Sequence, residues 1–98
     1  MIQVQVTYKF ADNASRDAYL RELDVNNIPA QTLAEAGNIC YDYNFPVGKD
    51  GEIFLLEQWA DQAAVDVHGT QPHFLLMQEI KKKYVISTEI RKFIAEMV

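Results

Sequence analysis

The side chains best suited to chemistry in this 98-residue chain are concentrated in one segment, residues 57–74. That segment holds Glu57, the only tryptophan (Trp59) and the only two histidines, His68 and His73. Imidazole and carboxylate groups exchange protons near neutral pH, and an indole ring offers an apolar stacking surface. These four residues are the first candidates for a functional site.

The spacing of the two histidines argues against a metal site. His68 and His73 are five positions apart, with Gly69 and Pro72 between them, so they do not share one face of a helix at i, i+4. No third ligand is obvious, since a turn separates Glu57 from both rings. We therefore expect no metal, and the lack of a glycine-rich phosphate loop predicts that no nucleotide cofactor binds.

Each candidate also has a purely structural interpretation. His68 at a helix C-terminus would favour the negative end of the helix dipole, and His73 in a first helical turn would hydrogen-bond locally. Glu57 and Trp59 share one face of a strand, so helices covering that face would bury the carboxylate. A buried carboxylate needs a partner or has a raised pKa. An ion pair with a neighbouring strand or across a dimer interface is slightly favoured over catalysis.

Periodicity predicts the elements that must position these residues. Alternation or apolar content indicates four strands, the last one less regular, over residues 2–10, 39–45, 53–59 and 85–93. Helical spacing and capping residues indicate four helical segments, over residues 16–23, 30–36, 61–67 and 70–84. Gly37 is expected to end the second segment, and Asp50-Gly51 predicts a hairpin turn. The strand over 53–59 is apolar on both faces and is expected to be central and covered on both sides.

The order of elements predicts a single α+β domain over residues 1–98. It is the βαββαβ arrangement of ferredoxin-like folds, with a four-stranded antiparallel sheet and the helices on one face. The other face needs a cover, and a homodimer that packs sheet against sheet is the simplest solution.

Composition excludes several classes of partner. The net charge of −5 disfavours nucleic acid. No apolar run approaches the roughly 20 residues that span a bilayer, and the first residues do not resemble a signal peptide. The single cysteine, Cys40, cannot form an internal disulfide, which is typical of a reducing compartment. We expect a cytoplasmic protein that binds neither membranes nor nucleic acid.

The segments AGNICYDY and IFLLEQWADQAAVDVHGTQPHF resemble the antibiotic biosynthesis monooxygenase (ABM) domain family. The shared residues are Gly37 and Tyr41, Glu57 and Trp59, Ala63-Ala64, His68, and Pro72-His73-Phe74. The resemblance is strong from Gly37 to Met77. It implies a ferredoxin-like fold that forms dimeric α+β barrels.

The resemblance also suggests a range of activities. Some relatives oxidise quinols or polycyclic phenols with dioxygen and no added cofactor, and others act on small hydroxylated carbonyl compounds, including an isomerase. A haem-degrading branch has an asparagine in the first strand and a later histidine in the long helix. Here the first strand offers Thr7 and Tyr8, and no histidine follows Phe74, so haem degradation is disfavoured.

Three hypotheses result. The first is a cofactor-independent monooxygenase for an aromatic or quinol-like small molecule, with Trp59, Tyr41 and Phe74 as pocket walls. His68 or His73 would remove a proton from the substrate. The second is an isomerase of a small hydroxylated carbonyl compound, in which Glu57 joins the histidines as a catalytic group. The third is a non-catalytic dimeric domain that binds a ligand among its tyrosines.

Overall fold

Four strands and four helices make up the fold. The computed structural model describes all residues from Met1 to Val98. The elements are β1 (Ile2–Lys9), α1 (Asn13–Val25), α2 (Ile28–Leu33), β2 (Asn38–Asn44), β3 (Glu52–Trp59), α3 (Gln62–His68), α4 (Pro72–Tyr84) and β4 (Ser87–Ile94). All strand pairs are antiparallel, in the order β2-β3-β1-β4. The fold is the predicted α+β ferredoxin-like arrangement, and the β2–β3 hairpin and the central position of β3 are confirmed.

The first helical region differs from the prediction at both ends. The helix α1 begins at Asn13 because Asp12 caps it, its Oδ1 accepting the backbone N–H of Ser15 at 2.8 Å. Pro29 lies in the first turn of α2, where a missing N–H is tolerated, so it opens a helix as well as ending one. The helix α2 ends at Leu33, short of the predicted residue 36, and Glu35 lies in the connection to β2.

The core lies between the sheet and the helices. On β3 the side chains alternate, and Ile53, Leu55, Glu57 and Trp59 point to the helix-covered face. The buried apolar residues are Val4, Val6, Tyr8, Phe10, Tyr19, Leu23, Ile28, Tyr41, Ile53, Leu55, Trp59, Met77 and Ile80. None of the four helices combines the length and the apolar character that crossing a membrane requires.

The strand β2 is less regular than its sequence predicts. Its pairing with β3 shifts register between Asn38 and Cys40, and Ile39 at this irregularity is half exposed. Phe45 lies beyond the end of the strand. Of the alternating apolar residues predicted for one face, only Tyr41 and Tyr43 therefore pack against the core.

The second face of the sheet carries no helix. Cross-strand partners share a face, so Phe54 and Leu56 of β3 lie beside Thr7 and Gln5 of β1 on this open face. The apolar side chains of β3 on this face are only partly buried. The expectation that β3 is covered on both sides is wrong for the single chain, because its own helices cover one side.

Candidate active site

The carboxylate of Glu35 lies between the two histidines. Its Oε2 is 2.6 Å from His68 Nδ1 and 2.9 Å from His73 Nε2. The side chains of all three are less than a tenth exposed, at 8% for Glu35, 7% for His68 and 8% for His73. We call these three residues the Glu35 cluster. It brings together two predicted site residues and one that the sequence reasoning missed.

The break between α3 and α4 lets the histidines converge. His68 is the last residue of α3, which Asp61 caps by accepting the N–H of Ala64 at 2.9 Å. His73 follows Pro72 in the first turn of α4. Their rings lie 6.2 Å apart, centroid to centroid. Two rings that cannot share a helix face are therefore brought together by consecutive helix ends.

Close packing at Gly37 positions Glu35. Gly37 has φ +84°, and a Cβ built on it would lie 2.6 Å from the Cβ of Ala64 in α3. Its carbonyl also accepts the N–H of Ala60 at 2.7 Å. The connection that carries Glu35 is thereby held against α3. No spacing rule links Glu35 to His68, 33 positions away, so the sequence offered only the glycine as a sign of close packing.

Glu57 interacts with Trp59 of the same strand. The indole Nε1 donates a hydrogen bond to Glu57 Oε1 at 3.0 Å. Burial raises the pKa of Glu57 to about 7; the Trp59 hydrogen bond opposes this shift, the charge of Glu35 adds to it, and Lys81 lowers it. The shared inward face is as predicted. The ion pair expected from the sequence is not formed within the chain, where the partner of Glu57 is the indole.

Aromatic rings surround His68. Its ring centroid lies 4.6 Å from that of Trp59, 4.9 Å from that of Phe74 and 5.8 Å from that of Tyr41. The predicted pocket walls therefore all face one histidine. Glu57 joins this group through Trp59, and His73 joins it through Glu35.

The interior beside Trp59 is closed. Trp59 is fully buried and Tyr41 is 6% exposed, so the aromatic walls pack on one another and on His68. Glu35 also lines a surface depression of about 390 Å³. The other residues around this depression are Ala36, Gly37, Ala60, Asp61, Ala63, Ala64, Val67 and Gln71. Of the three residues in the Glu35 cluster, only Glu35 lines this depression.

Buried tyrosines provide hydrogen-bond donors in the core, and one of them, Tyr43, lies 5.7 Å from the pocket wall Tyr41, centroid to centroid. Burial raises the pKa of Tyr8, Tyr19, Tyr41 and Tyr43, so all four phenols stay protonated at neutral pH. The hydroxyls of Tyr19 and Tyr43 are buried without a partner inside the chain. A protonated phenol without a partner is suited to donate a hydrogen bond to a ligand oxygen.

Comparisons with known proteins agree with this architecture. The protein of Bacillus subtilis (strain 168) named "Putative monooxygenase YcnE" is 34% identical over 59 residues, a match that spans 60% of this chain and 60% of that relative. The crystal structure of PA3566 from Pseudomonas aeruginosa superposes with a TM-score of 0.83 at 25% identity, covering 98% of this chain and 94% of that one. Rv0793 from Mycobacterium tuberculosis shares the fold, with a TM-score of 0.83 at 22% identity over 99% of this chain and 96% of that one.

The family assignment follows from a match over most of the sequence. The family model described as "Antibiotic biosynthesis monooxygenase" matches residues 1–80. This range includes β1, the hairpin, the Glu35 cluster and Trp59. The chain belongs to the antibiotic biosynthesis monooxygenase family.

Proposed function

We propose that the protein is a cofactor-independent monooxygenase that acts on an aromatic or quinol-like small molecule. The observation that carries the proposal is His68, which Glu35 holds at 2.6 Å and which lies among the rings of Trp59 and Phe74. A base fixed by a carboxylate and surrounded by aromatic rings is suited to remove a proton from an aromatic substrate.

The hydrogen bond to Glu35 sets the role of each nitrogen of His68. With Nδ1–H donating to the carboxylate, the tautomer is fixed and Nε2 carries the lone pair that accepts a proton. Glu35 also stabilises the imidazolium that forms when His68 takes up that proton. His68 is therefore the proposed base, and Glu35 is a positioning residue. His73, which shares the same carboxylate oxygen, is the second proton-accepting group.

Proton removal prepares the substrate for oxygen. A hydroquinone that loses a phenolic proton becomes an electron-rich anion, which dioxygen oxidises more readily than the neutral phenol. One oxygen atom enters the ring to give a hydroxyquinone, and the other leaves as water with the two hydrogens that the substrate gives up. The substrate supplies all the electrons, so the balance requires no external reductant. Partnerless phenols such as that of Tyr43 would donate hydrogen bonds to the substrate oxygens.

Substrate entry requires a local rearrangement. Because Trp59 and Tyr41 are buried, an aromatic substrate must displace some of the ring contacts around His68. We propose that it enters from the depression lined by Glu35, between the α2–β2 connection and α3. Loop and helix-end movements of this kind are common in substrate binding.

Oxygen uptake with hydroquinones tests the proposal. We expect one dioxygen consumed per hydroquinone, one atom of isotopically labelled dioxygen in the product, and no hydrogen peroxide. His68→Gln should lower kcat by roughly 100-fold or more, the usual contribution of a general base. Glu35→Gln should lower it by less, and Glu79→Gln, at an exposed position on α4, should leave it unchanged. Unchanged turnover in a His68→Ala, His73→Ala double variant would disprove the proposed roles, and hydrogen peroxide as the main product would indicate simple autoxidation.

A second candidate function is isomerisation of a small hydroxylated carbonyl compound. The observation that favours it is Glu57, whose pKa burial raises to about 7. A carboxyl group that is half ionised at neutral pH both accepts and donates protons, as enolisation requires. Deuterium exchange from solvent into the substrate without oxygen consumption, lost in Glu57→Gln, would support this reaction over the first.

The non-catalytic alternative has weaker support. A closed interior with both histidines facing solvent would favour a simple binding domain. The interior is closed, but both histidines are buried and share a carboxylate. Buried, mutually oriented acid–base groups are more typical of a reactive site than of a passive ligand pocket.

We also propose that the working form is a homodimer joined through the open sheet face. Phe54 and Leu56 lie on that face without a covering helix. At the adjacent edge, Phe93 of β4 lies on the same face, with Gln3 as its cross-strand partner, and is exposed. A second copy packed against the sheet would remove these apolar side chains from water.

A further inference from the structure

We propose that the Glu35 cluster binds one divalent transition-metal ion, for which Zn²⁺ is the representative probe. This binding property goes beyond the proposed oxidation and does not depend on it. The ligands would be one carboxylate oxygen of Glu35, Nδ1 of His68 and Nε2 of His73.

The donor atoms match what such an ion requires. One potential ligand atom from each of the three residues lies within 4.8 Å of the others. Two imidazoles and a carboxylate form a ligand set used for zinc, and the same set suits iron(II). With bonds near 2 Å, ligands of a tetrahedral ion lie roughly 3.3 Å apart. The separations from Glu35 Oε2, 2.6 Å and 2.9 Å, need to widen by part of an ångström, and the two ring nitrogens, which lie within 4.8 Å of each other, must adopt the same spacing.

A second observation points to a ligand at the same place. Glu35 Oε1 is buried and has no hydrogen-bond partner within the chain. Because the side chain is only 8% exposed, water cannot readily replace that partner. A buried carboxylate oxygen without a partner is energetically unfavourable. A metal ion in the cluster would neutralise the buried charge of Glu35, with either carboxylate oxygen as its ligand.

The location permits entry and leaves room for a further ligand. Glu35 lines the surface depression of about 390 Å³, so an ion can reach its carboxylate without unfolding the core. The chain brings three donors together, and a fourth position would be left for water or a small molecule. Three protein ligands with one open position are typical of reactive zinc sites.

Metal binding and the proposed base role exclude one another. An ion on His68 Nδ1 replaces the proton that this nitrogen donates to Glu35, so the carboxylate can no longer fix that tautomer. The two properties are measured separately, because metal binding needs no substrate. A chain that fails to bind Zn²⁺ would therefore leave the proposed oxidation standing, and a chain that fails to oxidise hydroquinones would leave the proposed metal binding standing.

The test is calorimetric titration of the tag-free chain with Zn²⁺. His68 and His73 are the only histidines, so no surface histidine can contribute binding. We expect one ion per chain. Glu35→Gln should weaken binding by more than the roughly 10- to 100-fold loss that follows removal of an outer-shell group. Mg²⁺ should give no heat, because imidazoles are poor ligands for hard cations.

Two variants serve as matched controls. Glu57→Gln alters the chain's other buried glutamate, which binds Trp59 and lies outside the cluster. Cys40→Ala removes the only thiol. Both should bind Zn²⁺ as the unchanged chain does. Binding that persists in Glu35→Gln, or that disappears in Cys40→Ala, would overturn the proposal.

Cobalt provides a measurement that does not depend on any variant folding. The unchanged chain with Co²⁺ should show the visible absorption of a tetrahedral ion without a thiolate charge-transfer band. Paramagnetic Co²⁺ should also quench the fluorescence of Trp59, whose ring lies 4.6 Å from that of His68. No heat with Zn²⁺ and no tetrahedral spectrum with Co²⁺ would overturn the proposal.

Discussion

The indole ring of Trp59 lies 4.6 Å from the imidazole of His68, centroid to centroid, with the two planes tilted by 36°. At the same time, its Nε1 donates a hydrogen bond to Glu57. One fully buried side chain thus contacts His68, the proposed base, and donates a hydrogen bond to a carboxylate beside it. His68 and Glu57 are therefore linked through Trp59 and not through each other.

Replacing Trp59 by phenylalanine should destabilise the fold in a pH-dependent way. The change leaves a small cavity and removes the only donor to Glu57, and we expect a loss of about 2–4 kcal/mol. The loss should be larger at pH 8, where Glu57 is ionised, than at pH 5, where it is protonated. Urea unfolding followed by circular dichroism measures both values. An equal loss at the two pH values would show that the hydrogen bond does not stabilise the carboxylate.

The raised pKa of Glu57 predicts how stability changes with pH. Burial brings this pKa to about 7 from an ordinary value of 4.5, so between these values the folded chain binds more protons than the unfolded chain. The free energy of unfolding should therefore fall as pH rises through this window and level off above it. The Glu57 contribution to this fall should be about 3 kcal/mol. The nearby charges of Glu35 and Lys81 act in opposite directions on it.

Glu57→Gln isolates this contribution. The amide keeps an acceptor for Trp59 but cannot ionise. The variant should gain stability relative to the unchanged chain between pH 5 and pH 8, by about 2–3 kcal/mol. Parallel urea titrations at the two pH values give the difference. A constant difference would mean that Glu57 titrates normally in the folded protein.

Gly37→Ala should damage both the fold and the Glu35 cluster. The new Cβ would lie 2.6 Å from Ala64 Cβ at a backbone φ of +84°. Left-handed strain and overpacking together predict a loss of about 2–5 kcal/mol. Gly48→Ala is the control, because its φ is +77° but no atom lies within 4 Å of the added methyl. Gly48→Ala should therefore lose only the stability that a left-handed backbone costs a residue with a side chain, about 1–2 kcal/mol.

A second substitution separates the two effects at Gly37. In the Gly37→Ala, Ala64→Gly double variant the clash is relieved while the backbone strain remains. Part of the lost stability should return, beyond what Ala64→Gly alone would predict, because a glycine inside α3 lowers stability by itself. If the effects of the two changes on thermal unfolding are simply additive, the contact between the α2–β2 connection and α3 is not the cause of the stability lost in Gly37→Ala.

The sequence predicted this architecture well because its patterns are local. Alternation from Ile2 to Phe10, the cap at Asp61 and the restart at Pro72 each depend on neighbours within a few residues. The alternation of β3 likewise predicted that Glu57 and Trp59 share one face, which the helices cover, and the family resemblance was confirmed. Glu35 could not be found this way, because its contact with His68 depends on how a connection packs against a helix 33 positions later.

The oligomeric state can be tested with one surface substitution. Leu56 lies on the open sheet face, partly exposed in the single chain, and its cross-strand partners are Gln5 and Asp42. If two copies pack through this face, Leu56→Glu buries one additional carboxylate from each copy in the interface, which is unfavourable. Sedimentation should then show a dimer for the unchanged chain and a folded monomer for the variant. Val25→Glu, at a residue that is 79% exposed at the end of α1, should remain dimeric. This interface would be excluded if the unchanged chain were monomeric at micromolar concentration or if the Leu56→Glu variant were dimeric. The polar residues of the open face would then be what keeps that face stable in water.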